Sequence, residues 1–252
     1  MLTCVVVPHY DHIEQFRQYL PKLVAQGYPL VVVDDASSQS VFEQLRELLN
    51  QMAPDAVLVR HTQNLGKGGA VMTGLQTASA AGFSHAIQVD ADGQHDASAL
   101  GRLHEVSRRH PESIVCGEPV FDRDISRLRY YARYLTLFLV WAETLSTEIR
   151  DALCGLRVYP LEPVLGLLQK VARRNRMDFD PEILVRAVWA GIPLKYVPVQ
   201  VQYPVGGASH FHYLRDNLII SWMHTRLLAG MLSRAPRLML QKIKNRPAGG
   251  PA

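Results

Sequence analysis

The sequence has little cysteine and no long apolar run. Its 252 residues include three cysteines, Cys4, Cys116 and Cys154, without any CxxC spacing. Such usage argues against a disulfide framework and a zinc site, and it is typical of a reducing compartment. No uncharged apolar stretch reaches the roughly 18 residues that a membrane-spanning helix needs. The opening run LTCVVVP also lacks the charged region of a signal peptide. We therefore expect a cytoplasmic protein.

The charge is unevenly placed along the chain. Charged residues make up 20% and apolar residues 48%, as in ordinary globular proteins. The formal net charge is +4, and arginines concentrate from Arg123 onward. This asymmetry fits an anionic partner such as phosphate, nucleic acid or a membrane surface, and a solvated basic face is the simpler alternative.

Short β-branched runs alternate with segments of helical periodicity. The runs TCVVVP, PLVVVDD, AVLVRH, HAIQVDAD and SIVCGE are continuous rather than alternating, which is typical of strands covered on both faces, and LKYVPVQVQYP is predicted as a late strand. The alternation predicts an α/β fold with a single, mainly parallel central sheet flanked by helices. We expect one domain over residues 1–209, a basic C-terminal helical appendage over 210–245, and a disordered tail over 246–252.

Polar residues follow several predicted strands. Ligands of open α/β sheets bind beyond the carboxyl ends of the strands, and here those ends read Pro8-His9-Tyr10, Asp34-Asp35, Arg60-His61 and Asp90-Ala91-Asp92. Several carboxylates on one rim suit a hard divalent cation, Mg²⁺ or Mn²⁺. A DxD pattern alone is weak, but its place after a buried strand favours a metal over chance.

Two more stretches belong to this rim. The pair Asp34-Asp35 runs into ASSQS, so its carboxylates either cap the next helix or accept hydrogen bonds from a ribose or base. NLGKGGAVMTG is a glycine-rich turn that opens a helix and carries Lys67, which suits phosphate. It matches neither the dinucleotide fingerprint nor the Walker loop, because Val71 replaces a required glycine and Gly68 a required serine or threonine.

The order of these motifs resembles a known family. VVVPHYDH, VVVDDASS, NLGKGGAVMTG, VDADGQHD and DALCGLRVY, within residues 3–205, resemble family 2 glycosyltransferases of the GT-A fold. The similarity is greatest to the branch with dolichol-phosphate mannosyltransferases and bacterial polyprenyl-phosphate sugar transferases. The resemblance implies a nucleotide-sugar donor, a Mg²⁺ or Mn²⁺ ion, and inversion at the anomeric carbon.

The resemblance also implies site residues. The nucleoside pocket would be lined by Pro8, Tyr10, Asp34 and Asp35, with Lys67 in the adjoining glycine turn. Asp90 would face the nucleotide-sugar, while Asp92 and Gln94 would hold the metal at the diphosphate. On the acceptor side, Arg157 and Asp151 match the arginine and the preceding acid of a family motif.

Two kinds of acceptor remain open, a glycan or a lipid phosphate. A sugar hydroxyl needs a carboxylate base. We take Asp180 as the candidate for this base, with Asp178 and Glu182 as alternatives. A phosphate monoester is already anionic and needs no base, so arginines would matter more. The arginines available are Arg123, Arg127, Arg129 and Arg133, and His210 and His212 stand where many relatives carry a basic residue.

The C-terminal segment bears on the choice of acceptor. Its apolar residues 214–239 are interrupted by His224 and Arg226, and burying these two side chains in a bilayer would cost too much free energy for the segment to span it. It can lie in the interface of an anionic membrane, with Pro236 separating two halves, or it can pack on the sheet. We expect peripheral contact with the inner face of the membrane.

Two other functions compete with glycosyl transfer. A nucleotidyltransferase would show a glycine-rich basic signature after the first strand, where this chain reads PHYDHIE. A non-catalytic module that binds nucleotide sugars or nucleic acid would fit the basic second half. It leaves the carboxylates unexplained, and because acids repel a nucleic-acid backbone, we expect no nucleic-acid partner.

Overall fold

The computed structural model describes residues 1–121, 127–169, 178–201 and 213–244, with side chains described over 1–120, 131–169, 178–201 and 216–240. Strands and helices alternate along the first half of the chain, as predicted. The elements are β1 (Thr3–His9), α1 (Ile13–Val24), β2 (Leu30–Asp34), α2 (Gln39–Met52), β3 (Val57–Arg60), α3 (Lys67–Ala80), β4 (His85–Gln88), α4 (Ala99–Arg109), β5 (Ile114–Phe121), α5 (Arg127–Thr144), β6 (Arg157–Pro160), α6 (Leu161–Leu168), α7 (Phe179–Ala190), β7 (Leu194–Val201) and α8 (Tyr213–Lys244).

The strands form one sheet in the order β3-β2-β1-β4-β6-β5-β7. All neighbouring pairs are parallel except those of β6, which runs antiparallel to both β4 and β5. The register places His9 beside Asp34 and Asp34 beside Arg60, so the polar strand ends meet at one edge. The mainly parallel sheet is therefore confirmed. Strand β6, inside DALCGLRVYP, was not predicted.

Both faces of the sheet are covered by helices. Cys4 and Val6 of β1 join one core with α3 and α5–α8, while Val5 and Val7 join the other with α1, α2 and α4. Full burial of such side chains stabilises the fold by about 1.5–3 kcal/mol each. All three cysteines are buried free thiols, and burial raises the pKa of each to about 12. They act as small apolar residues.

Helix α8 is one continuous helix that packs on α5 and α7. The prediction that Pro236 separates two halves is wrong. Proline deprives the Leu232 carbonyl of one hydrogen-bond donor, but intact helical turns on both sides keep the axis continuous. The expected boundary at 209/210 and the tail 246–252 lie outside the described residues.

Polar contacts on the inner side of α8 hold this helix against the domain. His224 lies 2.6 Å from Glu143 of α5, and Arg226 donates to Glu182 of α7 at 2.8 Å. Over the described ranges, no helix combines the length and apolarity needed to cross a bilayer.

Candidate active site at the carboxyl edge of the sheet

Asp34 ends β2 and is satisfied by protein groups. Its carboxylate accepts a hydrogen bond from the Ser37 backbone N–H at 3.3 Å. It also lies 3.4 Å from His9 Nδ1 and 3.4 Å from Arg60 Nε. Burial alone would raise the pKa of Asp34, but the hydrogen bonds from His9 and Ser37 outweigh it and lower the pKa.

Asp35 binds the glycine-rich turn. Its Oδ1 accepts hydrogen bonds from His61 Nδ1 at 2.7 Å and from the Leu65 N–H at 2.8 Å, and its Oδ2 accepts one from the Gly66 N–H at 2.7 Å. Gly66 has a φ of 86°, which favours glycine. Burial raises the pKa of Asp35 in spite of these bonds. Both oxygens are therefore engaged in shaping the turn that leads to Lys67.

Lys67 links two acids from distant parts of the chain. Its Nζ donates to Asp90 Oδ2 and to Asp180 Oδ2, both at 2.9 Å. Burial would lower the pKa of Lys67, but the negative charges of Asp180 and Asp90 raise it. The ammonium is thus held charged between the end of β4 and the start of α7.

Asp180 is held by a network of buried polar side chains from β4 and β6. Arg157 is fully buried and donates to the Asp180 carbonyl at 2.7 Å and to the Ala152 carbonyl at 2.9 Å. Tyr159 donates to Gln88 at 3.0 Å, and Gln88 donates to Asp180 Oδ1 at 3.3 Å. This position favours a supporting role for Arg157 over the predicted contact with an acceptor, because its side chain has no exposed surface.

Asp90 and Asp92 are the least satisfied acids at this edge. The Oδ1 atom of Asp90 is buried and has no hydrogen-bond partner among the described residues. Asp92 accepts one hydrogen bond from the Gln94 N–H at 3.0 Å. Burial, and then the charge of Asp90, raise the pKa of Asp92 to about 6. A cation placed here would relieve both the unpaired oxygen and the repulsion.

Gly155 is a site residue that sequence reasoning missed. A Cβ atom at this position would lie 2.5 Å from Asp90 Oδ2 and 2.7 Å from Lys67 Nζ. The loop can therefore approach the ion pair only because residue 155 lacks a side chain. The glycine stands in the motif DALCGLRVY, two residues before Arg157, so the motif itself carried the signal.

Asp151 and Arg133 connect this loop to α5. Their side chains form an ion pair, and Asp151 Oδ1 also accepts hydrogen bonds from the Leu153 and Cys154 N–H groups at 3.0 and 2.7 Å. Asp151 thus ties α5 to the loop that carries Gly155. The other predicted basic residues lie outside the described side chains: Arg123, Arg127, Arg129, His210 and His212.

The three candidate bases are all buried. Asp180 is ion-paired with Lys67. Glu182 is fully buried and accepts hydrogen bonds from Arg186 at 2.6 Å and Arg226 at 2.8 Å. Asp178 is buried just before α7. Pro8 on β1 and Tyr10 just after that strand are half-buried, and β1 pairs with β4, the strand that precedes Asp90.

The acids present fit a metal that arrives with a diphosphate. In the parts of the chain that the structure describes, no group of three or more His, Cys, Asp or Glu side chains is arranged to hold an ion. Mg²⁺ is commonly held by one or two carboxylates together with substrate phosphates and water. Asp90 and Asp92, with one buried oxygen unpaired, suit that arrangement.

Comparison with known proteins identifies the family. The sequence profile described as "Glycosyl transferase family 2" matches residues 4–161, more than half of the chain. The chain belongs to glycosyl transferase family 2. This membership confirms the predicted family and the prediction of an enzyme, over the nucleotidyltransferase and the non-catalytic binding module.

Relatives within the family share modest identity with the chain. It is 26% identical over 198 residues to a dolichyl-phosphate beta-glucosyltransferase of Dictyostelium discoideum, covering 75% of this chain and 59% of that protein. It is 23% identical over 217 residues to a UDP-N-acetylglucosamine–dolichyl-phosphate N-acetylglucosaminyltransferase of Methanococcus voltae, covering 80% and 86%. The chain thus spans less than two thirds of the first relative.

Solved structures support the fold. A mannosyltransferase of Pyrobaculum calidifontis, solved with GDP-mannose and Mn²⁺, superposes with a TM-score of 0.52 at 19% identity, covering 94% of this chain and 64% of that one. Together with the seven-stranded sheet, this likeness confirms the GT-A fold that the sequence motifs implied.

Proposed function

We propose that the protein transfers a sugar from a nucleoside-diphosphate sugar to a polyprenyl phosphate, with inversion at the anomeric carbon and with Mg²⁺ or Mn²⁺. The observation that carries the proposal is the pair Asp90 and Asp92, which keeps an unpaired carboxylate oxygen beside Lys67 at the carboxyl edge of the sheet. Ligands of open α/β sheets bind at this edge.

The part of the proposal that concerns the sugar donor follows from the charge of the leaving group. When the sugar departs, negative charge develops on the nucleoside diphosphate. A divalent cation on the diphosphate supplies the electrostatic stabilisation of that charge. Asp92 and Gln94 would hold the cation, and Asp90 would face the donor. Asp34, Asp35, Pro8 and Tyr10 would form the nucleoside end, with Asp35 acting through the turn that it binds.

The part of the proposal that concerns the acceptor rests on the contacts made by the candidate bases. Asp180 is occupied by Lys67, and Glu182 is held by two arginines. The carboxylate oxygens of both residues accept hydrogen bonds from protein side chains, so neither carboxylate offers a free oxygen to the hydroxyl of a sugar acceptor. A phosphate monoester needs no base, since it is already anionic, and this favours it over a sugar hydroxyl.

Two further observations support a lipid phosphate. The relatives from Dictyostelium discoideum and Methanococcus voltae are both named for dolichyl phosphate, although their sugars differ. Arg133 and Arg129 lie on α5, and the Arg133 side chain reaches the loop beside Lys67 through Asp151. A guanidinium group can bind a phosphate bidentately. We place the enzyme in the cytoplasm, peripheral on the inner face of the membrane.

An acceptor panel tests the proposal. UDP-, GDP- and dTDP-sugars are incubated with the protein, Mn²⁺ and either a detergent-dispersed polyprenyl phosphate, the corresponding polyprenol, or a soluble glycan. We expect a lipid-extractable glycosyl phosphate with polyprenyl phosphate alone. NMR of a product made from an α-linked donor should show the β anomer. Equal transfer to the polyprenol or to the glycan would contradict the assigned acceptor.

A further inference from the structure

We propose that α5 and α8 form an apolar surface that seats the protein on an anionic membrane. The inference rests on the proposed lipid acceptor, because an enzyme that uses such a lipid must reach the bilayer. We call this surface the α5/α8 surface. It consists of the exposed apolar side chains Tyr131, Tyr134, Leu135 and Phe138 of α5 and Leu218, Trp222, Leu232, Met239 and Leu240 of α8.

Helix α5 is apolar on two opposite sides. Its buried side carries Leu137 and Val140. Its outer side carries large apolar residues at positions 131, 134, 135 and 138, the spacing of a single helical face. Each of these four is at least 51% exposed. Single exposed apolar residues are normal on protein surfaces, but a stripe of this kind marks an interaction site.

Helix α8 repeats the pattern and is firmly held. Met223 and Leu227 are buried against the domain, and His224 and Arg226 pair with acids of α5 and α7. The outer side carries Trp222 at 69% exposure, with further apolar residues one or more turns away on both sides. The outward face is therefore fixed by packing on the opposite side of the helix.

The charges on these helices favour an anionic lipid surface. Helix α5 contains three arginines and α8 contains six lysine or arginine residues, of which Arg133 and Arg226 pair with acids of the domain. Their acids are Glu143 and Asp216, and both are buried. A second copy would bring like charges together, which opposes association, whereas anionic lipid attracts them. Tryptophan and tyrosine side chains also favour the membrane interface.

Helix α5 connects the surface to the candidate active site. Arg133 lies on the side of α5 opposite the exposed stripe, and its side chain pairs with Asp151 in the loop that carries Gly155. That glycine lies against the Lys67–Asp90 ion pair. Contact between α5 and a bilayer would therefore place the membrane on the helix that is tied to the loop of the sugar-transfer site.

Vesicle co-sedimentation of the full chain tests the surface. The vesicles contain equal parts of phosphatidylcholine and phosphatidylglycerol, or phosphatidylcholine alone, at low and high salt. We compare the unmodified chain with Leu135→Ser/Phe138→Ser and with Leu218→Ser/Trp222→Ser. The control is Leu2→Ser/Val57→Ser, which removes exposed apolar residues elsewhere. We expect the unmodified chain and the control to bind anionic vesicles at low salt, and each test variant to bind about tenfold more weakly.

The outcomes separate this proposal from its rivals. Absence of vesicle binding by the unmodified chain at low salt would overturn it, as would unchanged binding by folded test variants. Folding is checked by circular dichroism and melting temperature. If sedimentation equilibrium shows a dimer that both test variants dissociate, without vesicle binding, the surface joins two copies instead. Because the assay contains neither donor nor acceptor, its failure leaves the proposed sugar transfer to be judged by product formation.

Discussion

Two pairs of aspartates at this edge look alike in sequence and differ in structure. Asp34 ends β2 and Asp35 follows it, and protein groups engage both carboxylates. Asp90 and Asp92 follow β4, and there one buried oxygen has no partner among the described residues while the pKa of Asp92 is raised to about 6.

This difference in hydrogen bonding distinguishes acids that fix the shape of the site from acids that keep an oxygen available to a ligand. A buried carboxylate that accepts backbone hydrogen bonds fixes the path of a loop, as Asp35 does at Leu65 and Gly66. A buried carboxylate oxygen without a hydrogen-bond partner destabilises the folded protein, unless a bound ligand takes the place of that partner. We therefore propose that the first pair shapes the nucleoside end of the site and that the second pair faces the donor and the metal.

The largest effect is expected from Asp92→Asn, which removes a charged oxygen from the second pair. A carboxamide is a poor replacement for a hard anionic ligand. We expect turnover to fall by more than about 100-fold without loss of the fold, and EDTA to abolish turnover of the unmodified enzyme. Asp96→Asn is the matched control, because Asp96 is exposed and its carboxylate accepts hydrogen bonds from Ser98. Full activity in EDTA would refute the metal assignment.

A smaller loss is expected from Gly155→Ala. The added Cβ would contact Asp90 Oδ2 at 2.5 Å and Lys67 Nζ at 2.7 Å, so the ion pair must move. We expect turnover to fall about tenfold, equivalent to roughly 1.4 kcal/mol in the barrier. Gly101→Ala is the control, since a Cβ there meets nothing within 4 Å. Equal kinetics for the two variants would show that the ion pair does not need its present position.

The first pair is probed by Asp35→Ala. This change leaves the N–H groups of Leu65 and Gly66 and the ring of His61 without their acceptor. We expect the free energy of unfolding to fall by about 2–3 kcal/mol, measured by urea denaturation, with a smaller loss for Asp35→Asn because it keeps one acceptor oxygen. Unchanged stability with lost nucleotide affinity would instead place Asp35 in direct contact with the nucleoside.

The smallest effect is expected from Tyr159→Phe, a change at a fully buried side chain that is linked to Asp180 through Gln88. The change removes one hydrogen bond to Gln88, which in turn holds Asp180. We expect a loss of about 1 kcal/mol in unfolding free energy and a modest fall in turnover. A fall in turnover as large as that of Asp92→Asn would mean that Tyr159 acts on substrate, contrary to its complete burial.

Much of the fold could be predicted because its signals are local. Continuous apolar runs such as CVVV and LVVV announce strands that are buried on both faces. Strand β6 was missed because it has only four residues, Arg157–Pro160, and begins with a charged side chain. Its antiparallel place between β4 and β5 is set by tertiary pairing, which no local pattern encodes.

The place of these acids in the fold could be predicted from the sequence, but their hydrogen-bond partners could not. Strand order brings Asp34, Asp35, Asp90 and Asp92 to one edge, as expected from their places after the strands. Partners far apart in sequence were not foreseen, such as Lys67 with Asp180 and Asp35 with His61. These contacts depend on how α7 and the glycine turn pack, so hydrogen-bonding residue types alone could not reveal which acids stay open.

The most direct test of the distinction between the two pairs is metal-linked nucleotide binding. UDP and GDP are titrated calorimetrically into the unmodified protein, Asp92→Asn and Asp35→Asn, each with and without Mn²⁺. The account predicts that Mn²⁺ strengthens binding of one nucleotide by at least about tenfold in the unmodified protein and in Asp35→Asn, but not in Asp92→Asn. Retention of the Mn²⁺ effect in Asp92→Asn, together with its loss in Asp35→Asn, would contradict the account.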